Sequence, residues 1–202
     1  MRTAAILPVK RFARAKQRLG ASVDDPLRRE LAEAMVADVL LALAQTEAIE
    51  RTIVITAEES VASAAVLQGA IVIADHAESG QSAAVELETL LASGSEDVRG
   101  GGVVIIPDRH GSGTNGLLLT PPDAIAPSFG PDSCERHRAA ALAAAAPCRL
   151  ERPGSLLLDI DTGADLAALR ERLAGASTRA AATRAVLERS EQDQALARMS
   201  AG

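Results

Sequence analysis

Short apolar runs alternate with longer helical stretches along this chain. Thr3 to Val9, Arg51 to Thr56, Ala70 to Ala74, Gly102 to Pro107 and Ser155 to Asp159 are compact aliphatic runs of strand length. Several lack the in-out alternation of a half-buried strand, which predicts parallel strands covered on both faces. Between them, Asp25 to Ala44, Glu58 to Gln68, Gln81 to Ala92, Ser133 to Ala146 and Thr162 to Leu173 read as helices. This alternation predicts an α/β domain of three layers on a mainly parallel sheet, spanning residues 1–173. The remainder, 174–202, is rich in Ala, Arg and Glu and is expected as an exposed amphipathic helix or tail. A solvated charged face is favoured there over a dimerisation helix, so a homo-oligomer is the secondary expectation. No internal repeat and no linker divides the chain.

Composition sharpens this picture. A chain of 202 residues can bury one ordinary core, and 48% of its residues are apolar with no Trp, no Tyr and two Phe. Aliphatic strands packed on Ala-rich helices follow, with few aromatic platforms for stacking bases. The net charge of -6 also argues against a nucleic-acid partner, because phosphate neutralisation needs a clustered positive excess. No apolar run reaches membrane-spanning length, and the apolar stretch Ala4 to Val9 precedes its basic residues, the reverse of a signal peptide. A cytoplasmic protein without a membrane partner is expected. Cys134 and Cys148 match neither a disulfide framework nor a zinc spacing, and both are read as reduced and structural.

Charge is unevenly placed. The only lysines, Lys10 and Lys16, fall with Arg11, Arg14 and Arg18 directly after the first strand, and no acidic residue occurs before Asp24. Ligands of open α/β sheets bind beyond the carboxyl ends of strands, and a polyphosphate needs such a cationic cradle. A solvated basic loop would show the same composition. The segment has no glycine-rich turn of the P-loop kind.

A second informative region follows the strand ending at Pro107. Asp108-Arg109-His110-Gly111-Ser112-Gly113-Thr114-Asn115-Gly116 is polar and glycine-rich, and an apolar strand resumes at Leu117. Its glycines let the backbone approach a ligand, and Thr114 and Asn115 offer short polar contacts to a carboxylate or phosphate. Asp108, Arg109 and His110 are candidate acid-base groups or phosphate ligands. A long hairpin is the plainer reading. Further on, Pro127-Ser128-Phe129-Gly130-Pro131-Asp132-Ser133 leads into an Ala-rich helix, where Ser133 sits at an N-cap position that also presents amides to an anion.

Together these segments resemble a known family. Leu-Pro-Val-Lys10 with Ala-Lys16-x-Arg18-Leu, the Pro107 to Leu119 stretch, Phe129-Gly130-Pro131-x-Ser133 and Leu158-Asp159-Ile160-Asp161-Thr162 are similar to the 2-phospho-L-lactate and phosphoenolpyruvate guanylyltransferases of coenzyme F-420 biosynthesis. The resemblance runs colinearly over about residues 3 to 173. It implies a glycosyltransferase-A-like nucleotidyltransferase fold, of the nucleotide-diphospho-sugar transferase type. It implies an enzyme that moves GMP from GTP, with magnesium, onto the phosphate of a small phosphorylated carboxylic acid. By position, Thr114, Gly130 and Ser133 would hold that acceptor, with Asn115 and Arg109 beside them. Lys10, Lys16 and Arg18 would hold the triphosphate. Asp108, Asp159 and Asp161 are the candidate metal ligands, although the last two are equally well placed as strand-end and helix-cap residues.

One departure stands out. Relatives carry a further strand ending in an acidic Gly-Asp-x-Pro turn before the Pro-Asp-Arg segment, whereas here Glu78 to Glu86 runs straight into Leu87 to Ala92. A metal-binding carboxylate is therefore expected to be missing. The alternatives are a nucleotidyltransferase with another phosphorylated acceptor and a non-catalytic nucleotide-binding relative. Phosphoenolpyruvate, 2-phospholactate and 3-phosphoglycerate share a carboxylate and a phosphate, so a few side chains would discriminate them. The Ala- and Arg-rich composition suits a high-GC bacterium, for which the resemblance favours phosphoenolpyruvate.

Overall fold

The computed structural model of the chain describes residues 3–12, 19–20, 22–75, 101–154, 156, 160–174 and 180–200. Lys16, Arg18, Asp159 and the helix expected over Gln81 to Ala92 lie outside these residues. So does the strand expected over Ser155 to Asp159, apart from Leu156, which sits in a turn. The chain groups into two compact units, one of Met1–Pro8 with Ala77–Asp159 and one of Val9–His76 with Ile160–Gly202. Strand β1, Ala4–Val9, ends where the chain passes from the first to the second.

In the second unit, β2 (Arg51–Thr56) pairs in parallel with β3 (Ile71–Ala74), from Ile53 opposite Ile71 to Thr56 opposite Ala74. A parallel pair needs a crossover, which α2 (Glu59–Leu67) supplies. Ile53 to Thr56 are buried without a break, as the lack of alternation predicts for a strand covered on both faces. Helix α1 (Asp25–Ala44) starts where the Asp24 carboxylate accepts the Leu27 amide at 2.9 Å, with a proline in the first turn. Leu31 and Leu40 anchor its apolar side in the core.

Two more helices complete this unit. Thr162 and Asp165 exchange hydrogen bonds across the start of α4 (Gly163–Ala174). Asp165 accepts from the Thr162 amide and hydroxyl, both at 2.8 Å, and its own amide donates to Thr162 Oγ1 at 3.3 Å. This is a reciprocal capping box, and it explains how a carboxylate only 1% exposed is tolerated. The C-terminal helix α5 (Ala181–Ser200) packs along α1 and buries Thr183, Val186 and Leu187. Asp38, on α1, accepts the amides of Ala182 at 3.1 Å and Thr183 at 2.9 Å and the Thr183 hydroxyl at 2.6 Å. The first half of this segment is therefore docked, not solvated, because an acid on the neighbouring helix satisfies its otherwise unpaired N-terminal donors. From Glu191 to Ser200 the helix is exposed, as its charge pattern predicts.

The first unit holds a mixed sheet in the order β5-β4-β6. Strand β4 (Gly102–Pro107) runs antiparallel to β5 (Thr114–Thr120) and parallel to β6 (Cys148–Leu150). The pattern of β6 alone does not announce a strand: it has three exposed residues, and only its pairing with Val103 to Ile105 makes it one. At its entry the Val103 amide donates to the Pro147 carbonyl at 2.7 Å, and a Cβ on Gly102 would meet that same oxygen at 2.7 Å, so the crossing requires glycine. Here β4 does alternate, with Val103, Ile105 and Pro107 buried. Val103 and Ile105 pack with Ile125, with Leu117 and Leu119 of β5, and with Cys134 and Ala141 of helix α3 (Ser133–Ala143). Burial pushes the Cys134 thiol up, consistent with a structural cysteine.

Candidate active site

The β4–β5 connection is the hairpin that the polar run allows, but it is built tightly around one carboxylate. The ladder slips register between Ile106 and Pro107, so that Pro107 faces Thr114 and the six residues between form the loop. The Asp108 amide donates to the Gly113 carbonyl at 3.0 Å, and the Gly111 amide returns to the Asp108 carbonyl at 3.2 Å. The Asp108 carboxylate accepts the Ser112 amide at 3.0 Å and fills the space that a Cβ on Gly113 would need, 2.8 Å from Oδ2. Burial alone would raise this carboxyl. The amides of Gly113, Gly111 and Ser112 outweigh it and hold Asp108 below its ordinary value. Gly111 takes a φ of 80°, and the Arg152 guanidinium lies 3.3 Å from where its Cβ would stand. Arg109 and His110 are exposed at the tip, with Arg109 Nε 3.0 Å from His110 Nε2. Asn115 donates its side-chain amide to the Leu156 carbonyl at 2.8 Å.

The loop is fastened to the start of α3 by the Cys134 amide, which donates to the Ser112 carbonyl at 3.0 Å. Three expected acceptor residues, Thr114, Gly130 and Ser133, are thereby drawn to one helix N-terminus. The turn before it takes left-handed backbone at two positions, Gly130 at φ 108° and Asp132 at φ 55°, the second a strained one for a residue with a side chain. Arg136 closes that turn: Nε donates to Ser128 Oγ at 2.8 Å, and Nη2 to the carbonyls of Ser128 at 3.0 Å and Phe129 at 3.1 Å. Ser133 is 1% exposed, and among the described residues its hydroxyl has no hydrogen-bond partner. Buried polar atoms are rarely left so.

One member of this site was not anticipated. His137 is fully buried, with Nδ1 3.0 Å from Thr114 Oγ1 and Nε2 accepting the Ser128 amide at 2.8 Å. The Phe129 ring meets it edge-on, with centroids 5.3 Å apart. Its only sequence signal is the four-residue step from Ser133, which puts both on one helix face. Burial first, and the Arg136 charge second, push the imidazole below its ordinary value of 6.5. The unfolded imidazole therefore takes up a proton at higher pH than the folded one, and between the two values the unfolded state binds more protons. Stability is complete above the unfolded value and is lost as pH falls toward the folded one. Melting temperatures from pH 8 to pH 5 should drop more steeply for the wild type than for His137→Asn. Equal slopes would show that His137 is not the titrating group.

The basic segment is anchored at both ends in the second unit. Phe12 is 3% exposed and Leu19 is fully buried. The Phe12 amide donates to Glu58 Oε2 at 2.8 Å, and its carbonyl accepts from Arg28 Nη1 at 3.1 Å. Lys10, just before this anchor, is exposed. Of the candidate metal ligands, Asp108 has the chemistry for a hard cation, since it is held ionised and each oxygen retains acceptor capacity. Asp161 stands at the α4 capping box, where its amide donates to Asp165 at 3.1 Å. Among the described residues, no group of three or more His, Cys, Asp or Glu side chains forms a metal cage.

Comparison with known proteins gives this geometry its context. The family model described as guanylyl transferase CofC like matches residues 3–99. A phosphoenolpyruvate guanylyltransferase of Conexibacter woesei is 42% identical, covering 93% of this chain and 96% of that protein. Those of Sphaerobacter thermophilus and Streptomyces coelicolor are 33% and 31% identical, over 87% and 93% of this chain. The Conexibacter match extends over 215 positions, more than the chain's own 202 residues, so that relative carries residues without a counterpart here. A solved structure from Desulfovibrio desulfuricans G20, provisionally assigned as a nucleotide-diphospho-sugar transferase, superimposes with a TM-score of 0.70 over 95% of this chain and 96% of that one, at 17% identity. The fold is therefore that of the nucleotide-diphospho-sugar transferases, and by sequence the chain belongs to the phosphoenolpyruvate guanylyltransferase family.

Proposed function

We propose that the protein transfers GMP from GTP to a small phosphorylated three-carbon acid, phosphoenolpyruvate first among them, in coenzyme F-420 biosynthesis. Kinship to proteins named for that reaction supports the chemistry. The buried, unpartnered Ser133 hydroxyl at the start of α3 is the observation that carries the acceptor site. Thr114, Gly130 and Ser133 hold the acceptor's phosphate and carboxylate, where helix amides and hydroxyl donors favour negative charge. Arg109 and Asn115 flank them in a lesser role, since Asn115 already gives its amide to Leu156. Lys10, Lys16 and Arg18 hold the triphosphate.

An oxygen of the acceptor phosphate attacks the α-phosphorus of GTP in line. The bond to the bridging oxygen of the β-phosphate breaks, pyrophosphate leaves, and a diphosphate links guanosine to the acid. Such a transfer rests on positioning and charge neutralisation and needs no covalent enzyme intermediate. Magnesium, when bound, would supply neutralisation at the leaving pyrophosphate; Asp108 would be its carboxylate ligand in the first unit, and phosphate oxygens and water can fill the rest of its shell. No described helix is long and apolar enough to cross a membrane, and we place the reaction in the cytoplasm.

The test is pyrophosphate release from GTP and magnesium, with phosphoenolpyruvate, 2-phospholactate and 3-phosphoglycerate offered separately. Turnover is expected with phosphoenolpyruvate. Silence with all three, from folded protein that binds GTP, would overturn the enzymatic reading in favour of a nucleotide-binding relative.

A further inference from the structure

The contacts around His137 decide more than packing. The Ser128 amide can only donate, so the Nε2 atom it approaches at 2.8 Å must present its lone pair. The ring is fully buried and neutral, which leaves its single proton on Nδ1, facing Thr114 Oγ1 at 3.0 Å. Thr114 then accepts from the ring, and its own hydroxyl hydrogen is left for another acceptor. With the opposite tautomer Thr114 would give that hydrogen to Nδ1 and turn only lone pairs outward, repelling an anion. The Ser128 amide, nine residues before His137, thus sets the polarity of the Thr114 hydroxyl. Arg136 keeps that amide in place by holding the Ser128 and Phe129 carbonyls and Ser128 Oγ.

We propose that His137 is a positioning residue of the acceptor site, locking the Thr114 hydroxyl as a donor toward an anionic oxygen of the phosphorylated acid. This rests on the reading that Thr114, Gly130 and Ser133 hold the acceptor. Burial of the ring and the Arg136 charge beside it both preserve the neutral form that the role requires.

Two substitutions separate the two ring nitrogens. His137→Asn keeps a donor near the Nδ1 position and loses the acceptor at Nε2, whereas His137→Gln keeps an acceptor near Nε2 and loses the donor. With GTP and phosphoenolpyruvate as substrates, H137Q should raise the acceptor KM about tenfold, as expected for a lost hydrogen bond to a charged group. H137N should stay within about threefold of wild type on the same scale, and the KM for GTP should hold steady in both. Equal acceptor KM values in the two variants, or parallel losses toward both substrates, would overturn the proposal and leave His137 a packing residue.

Nitrogen NMR of the wild-type imidazole reads the same point without any substitution. A protonated Nδ1 with a bare Nε2 is expected, and the reverse tautomer would refute it. Thr114→Val tells this proposal apart from the reading beneath it. If T114V leaves the acceptor KM unchanged, the acceptor site itself is misplaced. If T114V raises it and H137Q does not, only the role of His137 fails.

Discussion

Replacing Ser133 by alanine is expected to make the protein more stable and less active at once. Among the described residues the Ser133 hydroxyl is buried without a partner, and such a group destabilises the ligand-free protein by about 1–3 kcal/mol. Alanine removes that penalty and leaves only a small void, so the melting temperature should rise by roughly 2–4 °C per kcal/mol regained. The same atom is proposed to meet the acceptor, and its loss should raise the acceptor KM by about tenfold or more. Thermal unfolding and steady-state kinetics on one preparation check both halves. A lower melting temperature would mean that the hydroxyl has a partner in solution, and an unchanged KM would remove Ser133 from the site. A gain in stability paired with a loss of function is the pattern of residues kept for a ligand.

The second large effect concerns the anchor of the basic segment. Phe12→Ala should cost about 3–5 kcal/mol, because it empties an aromatic-sized space in the core. The melting temperature should fall by roughly ten degrees or more. Phe12 also carries the backbone groups that Glu58 and Arg28 hold, so its packing fixes the chain directly after Lys10. Phe12→Leu, milder and expected to fold, should raise the KM for GTP while leaving the acceptor KM near wild type. An equal rise for both substrates would detach the basic segment from the triphosphate. A melting temperature unchanged in F12A would contradict the burial of the ring.

Much of the fold could be read before any coordinates. Helix α1 has the span that the helical pattern predicted, Asp25 to Ala44. Strand β2 announced itself as a continuous aliphatic run, and its burial on both faces followed from that continuity. The polar loop after Pro107 and the turn before Ser133 were visible as breaks in the apolar pattern. Strand β6 was not legible, because three exposed residues carry no period and a strand that short exists only through its partner. The docking of α5 was hidden as well, since Asp38 looks like an ordinary surface acid of α1 until the amides of Ala182 and Thr183 arrive beside it.

The same division runs through the candidate site. Residue types, their order and their likeness to the guanylyltransferases were set by the sequence, and so was the gathering of cations after β1. Local signals of this kind act over one or two helical turns and survive without the rest of the molecule. Only the tertiary structure decided that Asp108 turns inward on its own loop and that the Ser133 hydroxyl is buried without a partner. It alone brought His137 between Ser128 and Thr114. Burial, tautomer and the direction of a hydroxyl depend on atoms supplied by segments distant in the chain, and no local pattern of residues encodes them.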